Sequence, residues 1–366
     1  MLNIFAPLNN LGYGVHSCNT IKALKNIGVD LALSPVGQTN ASPYYLEYLD
    51  EGKIDKSCHS LHIFHDEYLH QVCGKSTTAF SVFETTKITD KAQWNLNHNA
   101  DKVFTTTQEH KEILIDNGVT TPIYVVPEGV DSDLFNAKGD KLIDTGKPTY
   151  ITVGKCEERK NTDMIIKAFI DALQYRECAL IAHTFNIFQK KFTCSNLEPY
   201  FKSRGFSEIH RENYIKWSNG VCDIYFTYQI SDIKKLKSLY LSANVGVAFS
   251  RAEGWDLPLI ELLACGIPTI ASNVIGHKEY LPGSPKIQQD LIVEPIGKEL
   301  AQDGVWFHGN KGDWYTMSSE DLMQKLEDTY DDIDLYSSPS EELSKYYHDN
   351  YGWNKSALKI KELLEL

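Results

Sequence analysis

Two glutamates flank the start of a short apolar segment, and their positions suggest that the segment binds an anion. Pro258 suits the first position of a helix, where its missing N–H is not needed, and a Gly-x-Pro stop follows, so the spacing predicts a helix over Pro258–Cys265. The first free N–H groups, near Leu259–Glu261, carry the positive end of the helix dipole, which stabilises a nearby phosphate by roughly 0.3–1 kcal/mol. A diphosphate therefore fits at this helix start.

The two carboxylates, Glu253 and Glu261, would repel a phosphate unless each accepts hydrogen bonds from neutral hydroxyl groups. Helical side chains lean toward the N-terminus, so Glu261 reaches the mouth of the site, and Glu253 lies beside flexible Gly254. This pattern favours a ligand with a ribose, a diphosphate and a second sugar. The alternative is an ordinary amphipathic helix with solvated glutamates at its ends.

A second group of charges lies just after the segment TYITVG. Gly154 permits a close turn, and three cations precede a helix that Asn161 or Thr162 can cap: Lys155, Arg159 and Lys160. A leaving diphosphate gains negative charge as its bond to sugar breaks, and charge-assisted hydrogen bonds are worth roughly 1.5–3 kcal/mol each. The group is predicted to clamp an anion. A solvent-exposed basic turn paired with Glu157 and Glu158 is the alternative.

Two motifs in the first half of the chain carry weaker signals. Gly12 and Gly14 follow the first predicted strand and open a helix beginning near Val15, a pattern that a simple strand-to-helix turn also explains. Glu84 follows another strand, where active-site groups of parallel sheets usually lie. Its carboxylate could bind a hydroxyl or accept its proton, or could form a helix cap or salt bridge.

Metal chemistry is not expected from the candidate ligands. His62 and His65 alternate on one predicted strand face, but no third ligand stands at metal spacing, so core or cleft histidines are preferred. Asp131 and Asp133 spell D-x-D, a motif that binds a divalent metal in another fold, but here the motif follows VVPEG and precedes Leu134-Phe135. No catalytic metal is predicted.

Strands and helices alternate along the chain in two series. The first series ends near Asp131, a polar passage follows, and the second begins at Tyr150. This cadence predicts two α/β units with doubly wound parallel sheets, whose ligands bind beyond the carboxyl ends of the strands. The cleft between the units is the expected site.

Composition restricts the classes of partner. The 366 residues are 42% hydrophobic and 23% charged with a formal net charge of −13, and no arginine precedes Arg159. Binding to nucleic acid requires clustered basic residues, so a polyanionic partner is disfavoured. The eight cysteines form no C-x-x-C pair and are expected to be reduced. No run of 18 apolar residues occurs, and a cytoplasmic location without a transmembrane segment is expected.

The segment from Glu253 to Glu261, continuing to Asn273, closely resembles the signature of glycosyltransferase family 4, in which two glutamates stand seven residues apart. In that family the first contacts the donor sugar and the second the ribose, which the resemblance carries onto Glu253 and Glu261. Position 256 is commonly glycine in the family, whereas this chain has Asp256. The family also has Gly-Arg and a later lysine in the earlier turn, where this chain has Lys155 and Lys160.

The resemblance implies the GT-B fold, with two facing Rossmann-like domains. The expected parts are an acceptor-side domain over residues 1–145, a nucleotide-sugar domain over 146–345 and a C-terminal helix, 346–366, that packs back on the first domain. Lys155, Lys160, Glu253 and Glu84 are assigned to catalysis. The residues assigned to donor binding are Gly12, Gly14, Lys155, Arg159, Lys160, Glu253, Gly254, Trp255, Leu257 and Glu261.

The implied activity is transfer of a sugar, with retention of anomeric configuration, from a nucleoside-diphosphate sugar to a hydroxyl of a glycan or small molecule. A UDP-sugar is the leading donor, and neither a metal nor another cofactor is expected. Three alternatives remain open: the same chemistry on a hydroxylated nucleic-acid base, a noncatalytic nucleotide-sugar-binding subunit, and a phosphorylase or epimerase on the same scaffold.

Overall fold

A computed structural model describes residues 1–50, 52–186, 197–303 and 311–366. Its first sheet is parallel, with strand order β2-β1-β3-β4-β5-β6. The strands are β1 Leu2–Ala6, β2 Leu31–Pro35, β3 His59–His62, β4 Ser76–Ser81, β5 Lys102–Thr105 and β6 Ile123–Val125. The helices of this part are α1 Gly12–Asn26, α2 Asp90–His98 and α3 Gln108–Asp116. The strand order reverses beside β1, as in doubly wound folds.

The second sheet has the order β14-β13-β12-β7-β8-β11-β10-β9, parallel from β14 to β11 and antiparallel at β10 and β9. Its strands are β7 Thr149–Val153, β8 Cys178–His183, β9 Ser207–His210, β10 Tyr214–Ser218, β11 Cys222–Thr227, β12 Val245–Ala248, β13 Thr269–Ser272 and β14 Ile292–Val293. A separate antiparallel hairpin joins β15 Gly297–Leu300 to β16 Asp313–Thr316.

Helices cover the second sheet and then return to the first. They are α4 Thr162–Leu173, α5 Glu198–Ser203, α6 Ile233–Tyr240, α7 Leu257–Ala264, α8 Lys286–Gln289, α9 Ser319–Asp331, α10 Glu341–Tyr351 and α11 Trp353–Leu363. Helix α10 packs on α7, whereas α11 packs on α1. The expected return of the C-terminal helix to the first domain is confirmed. No helix among the described residues is long and apolar enough to cross a membrane.

The central strands are apolar on both faces because helices cover both faces of a parallel sheet. Ile151, Leu180 and Ile224 are completely buried, and the amphipathic helix α4 lays Ile166, Phe169 and other apolar residues on the same sheet. Because β7 and β12 are neighbouring parallel strands, their carboxyl ends lie side by side. The loops that follow these two strands carry the predicted charged residues.

Two predicted elements differ from the structure. Helix α1 begins at Gly12 instead of Val15, so both glycines lie inside its first turn. Strand β3 ends at His62, and His65 stands before a short 3-10 turn over Asp66–Gln71, so the two histidines do not share a strand face. After Ile63 the backbone N–H of Tyr68 donates to the carbonyl of His65 at 3.0 Å, so the chain turns here instead of extending the strand.

Candidate active site

The loops that follow β7 and β12 lie side by side and carry the charged residues of the site. The backbone N–H of Arg251 donates to the carbonyl of Arg159 at 2.8 Å, which aligns the two loops. Gly276 closes the site from the next loop, where an added Cβ would come 2.6 Å from the carbonyl oxygen of Glu253. Only a glycine allows this approach. The sequence thereby brings Arg159, Lys160 and Glu253 into direct contact.

Arg159 is buried and its guanidinium is fully engaged. Nη1 donates to the carbonyl of Ala252 at 2.6 Å and pairs with Glu253 at 2.7 Å, while Nη2 binds Glu157 at 2.6 Å. Burial acts to lower the pKa of Arg159, but the surrounding carboxylates of Glu253, Glu84 and Glu157 outweigh it and raise that pKa. Arg159 therefore acts as a fixed cation that holds Glu253 in place.

Lys160 lies between two carboxylates. Its Nζ is 2.7 Å from Glu253 Oε1 and 3.1 Å from Asp256 Oδ1. Burial opposes the charged ammonium, yet attraction to Asp256 and Glu253 wins, and the pKa of Lys160 is raised. The lysine is thus a permanent positive charge, and an incoming anion would share it with these two acids.

Asp256 has a backbone conformation that side-chain-bearing residues rarely adopt, with φ 74° and ψ 74°. Its carboxylate is buried, and Oδ2 lies 3.1 Å from Nε2 of His277. His277 Nδ1 lies 2.7 Å from the carbonyl oxygen of Ser272, which can only accept. Although burial would raise the pKa of Asp256, Lys160 and His277 lower it well below its ordinary value.

A small polar recess opens beside this network. Lys160 and Asp256 form part of its wall, together with hydroxyl groups at the ends of β7, β8 and β12 and the start of α4: Thr152, Thr162, Thr184 and Ser250. The enclosed space of about 10 Å³ has room for about one water molecule, so in this structure the recess is much smaller than a ligand pocket of about 300–1,000 Å³.

Two further predicted residues stand at the rim. The side chain of Lys155 is 40% exposed and its Nζ lies 3.4 Å from Glu157. Glu84 is 38% exposed and lies 3.6 Å from Arg159 Nη2, across from the second domain. Because both groups are partly hydrated and only weakly held by their ion pairs, binding a ligand costs them less free energy than it costs the buried residues. The salt bridge considered for Glu84 is present.

Glu261 lies apart from this charged network. It is buried in α7, and Oε2 accepts a 2.8 Å hydrogen bond from the hydroxyl of Tyr240. Burial raises the pKa of Glu261 to about 8, with only the Tyr240 hydrogen bond acting in the opposite direction and Asp256 adding to the rise. No cation pairs with Glu261 among the described residues, so its carboxyl is adapted to hydrogen bonding and not to charge pairing.

The predicted anion site at the first turn of α7 needs correction. The helix begins at Leu257, one residue early, and the N–H groups of Leu259 and Ile260 both donate to the carbonyl of Asp256. Because both N–H groups are engaged by the Asp256 carbonyl, they are not free to bind a phosphate. The start of α4 differs from prediction as well: Asn161 does not cap the helix but donates its side-chain amide to the carbonyl of Phe249 at 3.0 Å.

The residues between the two glutamates face the domain interface. Gly254 accepts a 2.7 Å hydrogen bond from Thr106 Oγ1, and a Cβ at Gly254 would lie 2.4 Å from Val82. The ring of Trp255 is 2% exposed and packs on Tyr280 at a centroid distance of 4.9 Å. The side chain of Trp255 is therefore a core anchor, so only the backbone of this residue could meet a donor.

Leu257, which was also assigned to donor binding, packs partly buried against the main core at the first position of α7. The two glycines of α1 have different surroundings. An added Cβ on Gly14 would lie 2.3 Å from the carbonyl oxygen of Asn9, whereas the space around Gly12 is open. Close packing against Asn9 therefore explains why position 14 is glycine. No such contact restricts position 12 at the start of the helix.

The motifs set aside as metal sites have protein partners. Asp131 Oδ2 binds Lys22 Nζ at 2.5 Å and the Tyr44 hydroxyl at 2.8 Å. His62 is buried, and burial lowers its pKa to about 4. No group of three potential ligands is close enough to hold a metal ion in the part of the chain that the structure describes.

Sequence reasoning missed three members of the network, Glu157, Asp256 and His277, as contributors to the site. The sequence indicated Glu157 only as a partner of a solvated basic turn, and Asp256 only as a difference from the family, whereas both pair with cations of the site. The only signal for Asp256 was a charged residue at a position where the family commonly has glycine. His277 had no signal, since its role depends on a contact 21 residues away in the chain.

The hairpin β15–β16 connects the two parts of the molecule behind the site. Trp314 Nε1 donates to the carbonyl of Glu84 at 3.0 Å, and the N–H of Asp313 donates to Thr86 Oγ1 at 2.8 Å. The hydroxyl of Tyr315 donates to Glu109 of α3 at 2.7 Å. These bonds hold the loop of Glu84 against the second domain.

Comparison with known proteins identifies the second domain. Residues 147–305 match the family model described as Glycosyl transferases group 1. A protein of Sulfolobus islandicus filamentous virus, named only provisionally as a glycosyltransferase, is 38% identical over 61 residues, which is 17% of this chain and 18% of the viral protein.

Solved structures share the whole fold at low identity. A glycosyltransferase from Rickettsia africae has a TM-score of 0.67 and 13% identity, covering 100% of this chain and 97% of the other. A sucrose-phosphate synthase from Thermosynechococcus elongatus has a TM-score of 0.66 and 15% identity, with 100% and 98% covered. Anabaena HepE, solved with UDP and glucose, has a TM-score of 0.65 and 12% identity, with 100% and 99% covered.

The GT-B fold and the resemblance to a glycosyltransferase family are confirmed, while the assignment to family 4 stays a prediction compatible with them. The domain bounds and the individual site roles stay predictions as well. Residues 147–305 thus form a domain that matches the Glycosyl transferases group 1 model, and the described chain has the fold of the solved glycosyltransferases.

Proposed function

We propose that the protein transfers a sugar from a nucleoside-diphosphate sugar to a hydroxyl group of a glycan or another small acceptor. The observation that carries this proposal is the direct contact of Lys160 and Arg159 with Glu253 at the carboxyl ends of β7 and β12. Cations fixed there suit a leaving diphosphate, and a carboxylate fixed beside them suits a sugar hydroxyl.

A UDP-sugar is the first donor to test. HepE, which shares the fold, was solved with UDP-glucose and with UDP and glucose. In our proposal Lys160 and Lys155 contact the phosphates, Glu253 a hydroxyl of the transferred sugar, and Glu261 the ribose. Glu261 already accepts a hydrogen bond from the hydroxyl of Tyr240, and in this proposal its carboxyl also accepts one from a ribose hydroxyl.

The proposed mechanism retains the anomeric configuration. The sequence offers no clear nucleophile for a covalent intermediate, so the acceptor oxygen attacks the anomeric carbon on the face from which the phosphate leaves. The bond from carbon to phosphate oxygen breaks, the bond to the acceptor oxygen forms, and the leaving phosphate takes the acceptor proton. Lys160 stabilises the charge that develops on that phosphate. No metal or other cofactor is included in the proposal, and Glu84 is proposed to position the acceptor.

A thermal-shift panel of UDP, GDP and ADP sugars tests the proposal. One nucleotide sugar should raise the melting temperature of the wild type, because a ligand that binds only the folded state stabilises it. The rise should shrink in Lys160→Ala and in Glu261→Ala. The exposed pair Lys202 and Glu198 on α5 provides matched alanine controls.

Three results would change the proposal. If both site variants respond like the wild type, the site assignment is wrong. Binding without donor hydrolysis or transfer in a broad acceptor screen would favour a noncatalytic subunit. Faster donor consumption on adding hydroxylated DNA in low salt would favour modification of a nucleic-acid base.

A cytoplasmic location also stays a prediction.

A further inference from the structure

Asp256 combines three features that packing alone does not require. Its φ of 74° lies in the left-handed region, which residues other than glycine rarely adopt and in which such residues cluster at functional sites. It stands directly before α7 but makes no side-chain cap to that helix. Its carboxylate is turned instead toward Lys160 and His277 and lines the recess.

The carboxylates of Asp256 and Glu253 share one ammonium group. Lys160 Nζ lies 2.7 Å from Glu253 Oε1 and 3.1 Å from Asp256 Oδ1, so the two acids lie within about 6 Å of each other by simple geometry. Both side chains are only 3–5% exposed, and water screens them little. Whatever binds beside Glu253 is therefore also close to Asp256.

The cations of this wall are already matched by acids. Arg159 pairs with Glu157 and Glu253, and Lys160 pairs with Glu253 and Asp256. Lys155 faces Glu157, and the ring of His277 lies against Asp256. With the diphosphate on Lys160 and Lys155, as proposed, the described part of this wall leaves no further cation without an acidic partner that could receive an acidic group on the sugar itself.

We propose that Asp256 is a specificity-determining residue that restricts the enzyme to donors whose transferred sugar is uncharged. This inference rests on the proposed function. A second carboxylate beside Glu253 repels a sugar acid, such as a uronic acid, but tolerates a hydroxymethyl group at the same position. Specificity of this kind arises from the repulsive element that the site presents to the wrong ligand.

UDP-glucose and UDP-glucuronate provide the probes, since they differ only in a hydroxymethyl group against a carboxylate. Dissociation constants for both donors and for UDP are measured by calorimetry at pH 7.5. The wild type should bind UDP-glucuronate at least tenfold more weakly than UDP-glucose. In Asp256→Asn this ratio should fall at least threefold, because the amide keeps the shape and tolerates left-handed backbone. Asp331→Asn, which neutralises an exposed acid outside the site, should leave the ratio unchanged.

A purely structural role of Asp256 would change the binding of UDP and of both sugars alike, and so would leave the ratio intact. If Asp256→Asn does not fold, Asp256→Gly replaces it, since glycine adopts this backbone conformation freely. An unchanged ratio in the folded variant, or a wild-type ratio near one, overturns the inference and leaves the proposed function standing. Failure of the wild type to bind UDP and either UDP-sugar overturns the proposed donor, and the inference with it.

Discussion

The two sheets end in polar side chains of opposite character. Beyond the second sheet, Glu157, Glu253 and Asp256 each pair with a cation. Beyond the first sheet, His62 and Asp66 are buried without an ion pair among the described residues. The first region is a network of fixed charges, whereas the second consists of polar groups whose charge depends on pH.

Burial is the largest influence on the protonation of His62, His110 and Asp66, the polar groups near the first sheet. Burial lowers the pKa of His62 and of His110 to about 4. It raises the pKa of Asp66 to about 7, although a hydrogen bond from Ser81 acts to lower that pKa. Neutral His110 fits its contacts, with Thr107 Oγ1 at Nδ1 and the carbonyl of Phe83 at Nε2. In the proposed function, this difference places the anionic donor beside the charged groups of the second sheet.

The largest expected effect is loss of a charge from the network. In Lys160→Met, Glu253 and Asp256 lose their shared ammonium while remaining buried, and breaking such a pair costs about 3–5 kcal/mol of unfolding free energy. Urea unfolding monitored by circular dichroism measures it. Lys202→Met removes an exposed ion pair with Glu198 and should cost less than about 0.5 kcal/mol. Equal effects of the two variants would contradict a buried network.

The second effect concerns the pH dependence of stability. The pKa of Asp66 is raised by burial from 3.8 to about 7, so its contribution is complete below pH 3.8 and is lost as the pH rises through 7. Asp66→Asn should remove this loss. Relative to the variant, the wild type should lose on the order of 2–4 kcal/mol of unfolding free energy between pH 4 and pH 8. Parallel stability profiles of the two proteins would show that Asp66 is not held neutral.

A third change tests the contact between the two regions. In Gly254→Ala the new methyl group would lie 2.4 Å from Val82, so the loop of Gly254 and the loop after β4 could not approach each other as they do in the structure. Turnover should fall about tenfold, equivalent to about 1.4 kcal/mol, with little change in urea stability. The double variant Gly254→Ala with Val82→Ala should recover most of the rate, because it restores the space. If the turnover rate does not recover, Gly254 is needed for its backbone conformation and not for the space that it leaves beside Val82.

The smallest effect comes from the hairpin behind the site. Trp314→Phe removes the 3.0 Å hydrogen bond from Nε1 to the carbonyl of Glu84, which is worth about 0.5–1.5 kcal/mol. We expect a loss of that size in unfolding free energy, measured by urea titration. Since the ring stays in its buried position, a loss above about 3 kcal/mol would mean that packing, and not this bond, is what the variant disturbs.

The sequence predicted the elements better than the contacts between them. Pro258 and Gly266 bracket α7 to within one residue, because each acts through its own backbone. Lys160 and Glu253 were both assigned to the site before their contact was known. The partners of Glu261 and Trp255 could not be predicted, since Tyr240 and Tyr280 reach them through tertiary packing.

Asp256 shows most clearly why the rest was not predictable. An aspartate before Leu-Pro is typical of a helix cap, and local propensity favours that interpretation. The left-handed backbone instead turns its carboxylate toward Lys160, 96 residues away, and His277, 21 residues away. The exposed strand β15 is similar: it pairs with β16, whose buried Trp314 donates a hydrogen bond to the carbonyl of Glu84, 230 residues away.

The most direct test of the account is the position of the diphosphate in a crystal structure of the protein with UDP-glucose. We predict a phosphate oxygen about 2.7–3.2 Å from Nζ of Lys160, and a sugar hydroxyl at a similar distance from the carboxylate of Glu253. A diphosphate bound more than about 10 Å from Lys160, with the ion pairs of Glu253 undisturbed, would contradict the central claim that this charged network is the donor site.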